Sequence, residues 1–553
     1  MKQILDIDIL VVGSGGGGLV AALTAAAAGR KVLVIEKLPV LGGSTAISGG
    51  ALWIPNNSLM RDRGMHDSFD DAWKYLDNLI GDVGPATSTA RKNTYLVQGP
   101  MMVDFLLEQG IELAACVDYP DYYASRPGGR SGGRSIESPV FNGKRLGADL
   151  ARLNRRPLMP VLALRASDLA GISNGFRTWR SVRTMLGVLW RTISGIVTGG
   201  APLSMGMALV ARLLHALQRH EVEILTDIAL VRLIADENKK VVGAVVRQRE
   251  REFEIRARHG VILAAGGFSH NTQMRANHQS LASPRWTSSS LGDEGDGIRA
   301  GIEVGAAVAQ MDEAWWMPTS ILPDGQRVMC AFERSKPYSI IVDHTGKRFA
   351  NECASYMELG QKMIQRQSKQ GDANPCWFVL DARHRRYYPF GAWAAGRTPR
   401  EAFNSGYMIR AQSMAELAQR CGIDSAGLSK TVDHYNKMCV AGRDEDFHRG
   451  EYPYDCYYGD ERVKPNSTMG AIEQAPFYAV ALYPGDIGTN GGLLTDEHAR
   501  VLRDDGSTIE GLYATGNCTA SVMGRVYPGA GGTIGPAMVF GFVGARHAVE
   551  GGR

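Results

Sequence analysis

Three glycines and one acid carry the first chemistry that can be read from this sequence. Gly13, Gly15 and Gly18 stand in the order G-x-G-x-x-G, and Glu36 follows at about the twenty-residue offset of a ribose ligand. Gly13 permits a tight turn, Gly15 lets the backbone approach a pyrophosphate, and Gly18 lets a helix lie close against a strand. Such a set captures a dinucleotide, with its phosphates held on N–H groups at the positive end of a helix dipole. The triplet alone is a weak signal, so the weight falls on the elements around it.

Those elements are in register. Residues 7–13 form an apolar run typical of a buried parallel strand. The loop Gly13-Ser14-Gly15-Gly16-Gly17-Gly18 leads into an alanine-rich helix reaching about Ala28, and a second strand over 31–35 ends at Glu36. Two more glycine clusters, Gly42-Gly43-Ser44-Thr45 and Ser48-Gly49-Gly50, favour FAD over NAD, because FAD threads past more backbone. Residues 260–267 predict a return strand ending at Ala265 and Gly266, and 511–517 repeat the form with Gly516 and Asn517. The expected fold is α/β. A Rossmann-like FAD-binding domain is built from both chain ends, 1–310 and 487–553, and an α+β catalytic domain over 311–486 caps it.

Composition narrows the class. The 553 residues include 66 glycines, well above the usual share of roughly 7%. A net charge of +4 from 61 basic and 57 acidic residues is too small to imply a nucleic-acid partner, and none is expected. The eight cysteines form no C-x-x-C pair and the twelve histidines show no metal spacing, so no metal site is expected. Scattered thiols fit a reducing compartment. Residues 1–8 enter a strand without a secretory pattern, and no apolar run reaches the roughly 18 residues of a spanning helix. The expected location is the cytoplasm, or the cytoplasmic face of a membrane.

Longer motifs carry a resemblance. They are Trp53-Ile54-Pro55 after the second glycine cluster, Pro120-Asp121-Tyr122-Tyr123, Gly133-Arg134-Ser135-Ile136, Phe349-Ala350-Asn351-Glu352 leading to Tyr356, Phe447-His448-Arg449-Gly450-Glu451, and Gly524-Arg525-Val526-Tyr527-Pro528-Gly529. The set is similar to the fumarate reductase/succinate dehydrogenase flavoprotein superfamily, and within it most resembles the 3-ketosteroid Δ1-dehydrogenases. The resemblance implies one FAD per chain. Residues 42–52 hold no histidine of the kind that attaches FAD covalently in some members, so the flavin is expected to be non-covalent. Together with the glycine motifs, the resemblance assigns FAD contacts to Gly13, Ser14, Gly15, Gly16, Gly17, Gly18, Glu36, Lys37, Gly42, Gly43, Ser44, Thr45, Ser48, Gly49, Gly50, Ala229, Ala265, Gly266, Asp296, Gly516, Asn517, Gly532 and Ile534.

The implied reaction removes two hydrogens from C1–C2 of a 3-ketosteroid. A base takes the C2 proton, donors stabilise the enolate oxygen, and flavin N5 accepts a hydride from C1. Carried over residue by residue, Tyr356 is the base and Tyr122 its hydrogen-bond partner. The Tyr527 hydroxyl and the Gly531 N–H form the oxyanion site, where a glycine allows close approach. Tyr483-Pro484-Gly485-Asp486 reads as a structural, domain-crossing turn. Electrons would leave to a quinone or another acceptor. Three alternatives stay open. A Δ4-(5α)-3-ketosteroid dehydrogenase would use the same logic one ring edge away. A fumarate-reductase-like flavoprotein would need Arg and His clusters for two carboxylates. A flavin electron-transfer or steroid-carrying protein would need no C–H base.

Residues 160–200 stand apart as an insertion. On a helix, Trp179, Val182, Met185, Leu186, Leu189, Trp190, Ile193, Ile196 and Val197 share one broad face, with Arg177, Arg180, Arg183 and Arg191 opposite. That pattern predicts an interfacial helix and peripheral membrane contact. The other reading is a helix packed on the domain or in an oligomer interface.

Overall fold

The apolar run at 7–13 becomes the centre of a sheet because it is covered on both faces, with Ile9, Leu10 and Val11 fully buried. The computed structural model describes residues 4–155, 162–371, 374–391 and 393–550. Residues 1–3, and residues 160 and 161 of the predicted insertion, lie outside the described residues.

From the N-terminus, β1 (Ile4–Val12), α1 (Gly16–Ala27) and β2 (Val32–Ile35) form the predicted βαβ unit. Ile9 pairs with Val32 in a parallel ladder. Two short strands follow, β3 (Ala51–Trp53) and β4 (Ser135–Glu137), paired antiparallel. The insertion then supplies α2 (Asp168–Ile172) and α3 (Trp179–Val197). The chain returns through β5 (Glu223–Leu225), β6 (Ala229–Ala235), β7 (Val241–Gln248) and β8 (Arg251–Leu263).

A second set comprises β9 (Ala314–Ile321), β10 (Arg327–Met329), β11 (Ser339–Val342), α4 (Tyr356–Gln370), β12 (Cys376–Leu380) and β13 (Met408–Ala411). It is followed by α5 (Pro453–Tyr457) and β14 (Phe477–Thr489). The chain ends with β15 (Arg500–Leu502), β16 (Thr508–Ala514) and α6 (Ile534–Glu550).

The larger sheet has the order β15-β16-β8-β1-β2-β5, with β7 bridging β8 and β6. Strand β16 joins β8 in parallel, Val261 against Leu512. The last fifth of the chain therefore completes the sheet that β1 begins. The second sheet runs β10-β9-β14-β12-β11, with β13 also on β14. Helix α6 crosses α1 so closely that a Cβ on Gly541 would meet the Gly17 carbonyl oxygen at 2.3 Å.

Two expectations need correction. Tyr483-Pro484-Gly485-Asp486 is no turn; it lies inside β14, where Pro484 faces Pro318 and Gly485 faces Met317. Buried Asp486 holds it extended, paired with Arg275 and accepting the Thr287 hydroxyl at 2.7 Å. Helix α3 forms as predicted, but its arginines are no uniform solvated stripe. Arg191 turns inward onto Asp168 and the Ala163 carbonyl, and Arg177 just before the helix pairs with Asp460 at 2.8 Å. The inward face carries Ser181, Val188 and Thr192. The apolar residues face out, with Trp179 79%, Trp190 72% and Val197 78% exposed.

Candidate active site

The first βα turn opens onto one large cavity. Gly13 takes φ +109°, and its missing Cβ leaves room for the Ala264 carbonyl, which would sit 2.3 Å away. The turn is locked around Glu36, which accepts the Ser14 N–H at 3.1 Å and the Ser14 hydroxyl at 2.7 Å. The second glycine cluster docks beside it. Gly42 N–H donates to the Ser14 hydroxyl at 2.9 Å, and Gly16 N–H donates to the Thr45 hydroxyl at 3.0 Å. Lys37 is held by Asp296 at 2.5 Å and Glu294 at 2.7 Å.

The cavity encloses about 1660 Å³ of atom-free space, including its open mouth. The glycines suit an elongated ligand. A Cβ on Gly49 would meet nothing within 4 Å, and on Gly15 nothing nearer than the Thr45 hydroxyl at 3.9 Å. These positions leave backbone bare toward the space a dinucleotide needs. Residues at the start of α6 (Ile534) and at Gly516 and Asn517 close the same wall.

The remaining part of the cavity is apolar and ringed by tyrosines. Tyr119, Tyr122, Tyr356 and Tyr527 line it with Leu169, Met317, Met329 and Ile487. Tyr356 is the first residue of α4. Its ring lies 4.9 Å from that of Tyr527, with which its hydroxyl shares a hydrogen bond. The Thr533 hydroxyl donates to the Tyr527 oxygen at 3.1 Å, and the backbone at Gly531 also bonds it. Gly531 takes φ +99° and rides over β3, where a Cβ would lie 2.5 Å from the Leu52 backbone. Burial pushes the phenols of Tyr122 and Tyr356 well above the ordinary tyrosine range, and Tyr527 upward.

Tyr122 meets Tyr356 edge-on at 5.4 Å, but its hydrogen bonds run elsewhere, to Tyr119 and Tyr454. The expected Tyr122–Tyr356 bond is thus replaced by ring contact, because Tyr454 lies over Tyr122 at 4.1 Å. Asp121 explains the loop's rigidity. It is buried, accepts the Trp53 indole N–H at 2.7 Å and pairs with Arg134 at 2.9 Å.

Comparison with known proteins agrees with this geometry. The family described as "FAD binding domain" matches residues 8–534. The 3-oxosteroid 1-dehydrogenase of Mycobacterium tuberculosis is 42% identical over 563 residues, covering 99% of both chains. The chain belongs to the FAD-binding family that contains the 3-oxosteroid 1-dehydrogenases. A solved 3-ketosteroid delta1-dehydrogenase from Sterolibacterium denitrificans, in complex with 1,4-androstadiene-3,17-dione, has TM-score 0.93 and 36% identity, covering 99% of this chain and 100% of that one. A 4-oxocyclohexanecarboxylate 2-dehydrogenase of Sinomonas cyclohexanicum is 37% identical, covering 98% of this chain and 92% of that protein.

As a family member the chain binds FAD, and most of the residues predicted to contact it line the one cavity. Gly13, Ser14, Gly15, Gly16, Gly17, Glu36, Lys37, Gly43, Ser44, Thr45, Ser48, Gly49, Gly50, Ala265, Gly266, Asp296, Gly516, Asn517 and Ile534 all line it, as do Tyr122, Tyr356, Tyr527 and Gly531. Four predicted contacts do not. Gly18 packs on the Gly13 carbonyl, Gly42 on Val210, and Gly532 on Pro528. Ala229 begins β6 between Ile228 and Leu230, which do line the cavity, so strand alternation turns it away. Sequence reasoning missed Asp293, a buried acid on the wall that accepts the Ser44 hydroxyl at 3.0 Å. It also missed Tyr119 and Tyr454. The run 452–458 carries four tyrosines, and that density was the available signal.

Proposed function

We propose that the protein is an FAD-dependent 3-ketosteroid Δ1-dehydrogenase. One observation carries the reading: the Tyr356 and Tyr527 hydroxyls and the Gly531 backbone converge in an apolar compartment continuous with the dinucleotide cradle. Tyr527 and the Gly531 N–H donate to the C3 oxygen, where negative charge grows as the C2 proton leaves. Tyr356 receives that proton. Bound FAD supplies the two-electron acceptor for the hydrogen leaving C1. An ordinary tyrosine near pKa 10 is ionised about once in a thousand molecules at pH 7, and burial makes a lone phenolate rarer still. The hydrogen bond shared with Tyr527 raises Tyr356 further and lowers Tyr527, so Tyr356 takes up the C2 proton only once that bond is released to the substrate oxygen. In this reading 1–310 and 487–553 hold a non-covalent flavin, 311–486 caps it, and a quinone or similar acceptor reoxidises it.

The deciding experiment is anaerobic addition of a 3-ketosteroid to the FAD-loaded protein. Bleaching of the oxidised flavin band, with a 1,2-unsaturated product, supports the reading. Absence of bleaching with several 3-ketosteroids overturns it. A 4,5-unsaturated product would instead assign the Δ4 reaction, and preferential bleaching by 4-oxocyclohexanecarboxylate would assign a single-ring substrate.

The finer placement at a membrane rests on α3. Its outward face presents Trp179, Leu186, Leu189, Trp190, Ile193, Ile196 and Val197 to solvent. Among the described residues no helix is long and apolar enough to cross a membrane, so this face would lie on the surface. All eight cysteines are free, which suits the cytoplasmic side. Flotation with lipid vesicles tests it: replacing Trp179, Trp190 and Ile193 by serine should abolish co-flotation while steroid-driven bleaching persists. Unchanged co-flotation would remove the membrane role.

A further inference from the structure

Two residues of the cavity wall come from the insertion. Ala166 and Leu169 line the compartment together with Tyr119 and Met329, whereas α3 contributes none of the lining residues.

The helix that carries Leu169, α2, has five residues and is too short to persist unaided. It is held from three sides. Before it, the Ser167 N–H and hydroxyl donate to the buried Glu137 carboxylate of β4 at 3.0 and 2.6 Å. After it, the buried Lys336 ammonium donates to the Ser173 hydroxyl at 2.8 Å, the Asn174 side-chain carbonyl at 2.6 Å and the Tyr458 carbonyl. The Asn174 amide donates in turn to the Gly459 carbonyl at 2.9 Å. On the outer side α3 packs so closely that a Cβ on Gly171 would meet the Thr184 hydroxyl at 2.5 Å.

These ties fix where Leu169 stands relative to the reacting groups. The lysine that holds the end of α2 also holds the Tyr458 backbone, and the Tyr458 hydroxyl is 2.8 Å from that of Tyr119. From Tyr119 the rings step inward, 6.4 Å to Tyr122, then 5.6 Å from Tyr122 to Tyr527. Tyr356 adjoins Tyr122 and Tyr527. The helix α2 is therefore fastened at the Tyr119 end of the row, and Tyr527 with Gly531 stands at the other.

We propose that α2 is the end wall of the substrate compartment and that Leu169 is a specificity-determining residue, meeting the part of a 3-ketosteroid farthest from its C3 oxygen. This rests on the dehydrogenase reading above, which seats that oxygen at Tyr527 and Gly531. The polar neighbours of Leu169 are engaged elsewhere, Ser167 on Glu137 and Asp168 on Arg191. The surface that Leu169 offers is apolar, so it selects by volume, where one methylene more or less is worth about 10–200-fold.

The test is kcat/KM of the FAD-loaded protein with two 3-ketosteroids that differ only at C17, one bearing an oxo group and one a branched alkyl chain. Leu169→Trp should lower kcat/KM for the alkyl-bearing ketone about tenfold or more, and leave the 17-oxo compound within about twofold. Leu169→Ala should move the ratio of the two the opposite way. It removes volume where tryptophan adds it, so it decides the matter if the tryptophan variant fails to fold. An equal change for both ketones, which a merely structural role would give, overturns the proposal, as does an unchanged ratio in the alanine variant. A parent protein that no 3-ketosteroid bleaches would instead remove the dehydrogenase reading, and this inference with it.

Discussion

The backbone N–H of Tyr122 donates to the carbonyl of Pro528 at 3.0 Å. The Tyr75 hydroxyl donates to the same oxygen at 2.7 Å. The loops carrying Tyr122 and Tyr527 thus move as one body. Tyr75→Phe leaves the Tyr122 bond in place and should cost about 1 kcal/mol of stability. It should also slow flavin reduction severalfold, read from denaturant midpoints and stopped-flow bleaching.

Tyr356→Phe should retain FAD, visible in its absorption spectrum, because the side chain lies outside the glycine cradle. Flavin reduction by a 3-ketosteroid should fall about 10²–10⁴-fold, the usual worth of a positioned base. Unchanged bleaching would take Tyr356 out of that role.

Gly531→Ala places a Cβ 2.5 Å from the Leu52 backbone at φ +99°. Neither strand nor loop can give cheaply, so overpacking should cost about 1–3 kcal/mol. The displaced N–H should also lower the single-turnover rate by about 10²-fold or more. A full rate in the alanine variant would argue against an oxyanion role.

Asp121→Ala should be among the most destabilising single changes in the loop. It strips the buried Arg134 of one of its two carboxylates, the other being Asp67 at 2.8 Å, and leaves the Trp53 indole N–H without its acceptor. Breaking a buried pair costs about 3–5 kcal/mol, and the surviving Asp67 contact points to the lower end. Chemical denaturation reads this directly.

Asp293 should make stability depend on pH. Burial pushes its carboxyl up to about 7, against the donated hydroxyls of Ser44 and Ser289. An unfolded Asp loses its proton near pKa 3.9, so from about pH 4 to about pH 7 the folded protein keeps a proton that the unfolded chain has released. Its stability contribution therefore falls as pH rises through that window. Asp293→Asn should flatten this part of a melting-temperature profile; an unaltered slope would assign the dependence to other groups.

What could be read in advance follows physical locality. The βαβ unit was legible because Ile9, Leu10 and Val11 are apolar for one reason, coverage on both faces, and because the turn glycines are neighbours in sequence. The motif around Trp53, Asp121 and Arg134 was visible only as a resemblance, and the bonds joining the three supply its physical content. Tyr454 was not legible, since its meaning arises where it packs on Tyr122, from a segment more than three hundred residues away. Helix α3 was legible as a helix with an apolar stripe. Periodicity does not say which side faces the protein, and here small polar residues do.

The sheet order has a consequence for synthesis. Strand β16 is hydrogen-bonded beside β8, and α6, which follows β16, lies across α1 and closes the cavity wall at Ile534. A nascent chain that has emerged only through β14 holds every glycine of the first turn, yet lacks β15, β16 and the α6 start that complete the sheet and the cavity wall. Cofactor capture should therefore wait until β16 and α6 have been made. Prematurely terminated products should emerge from the ribosome colourless.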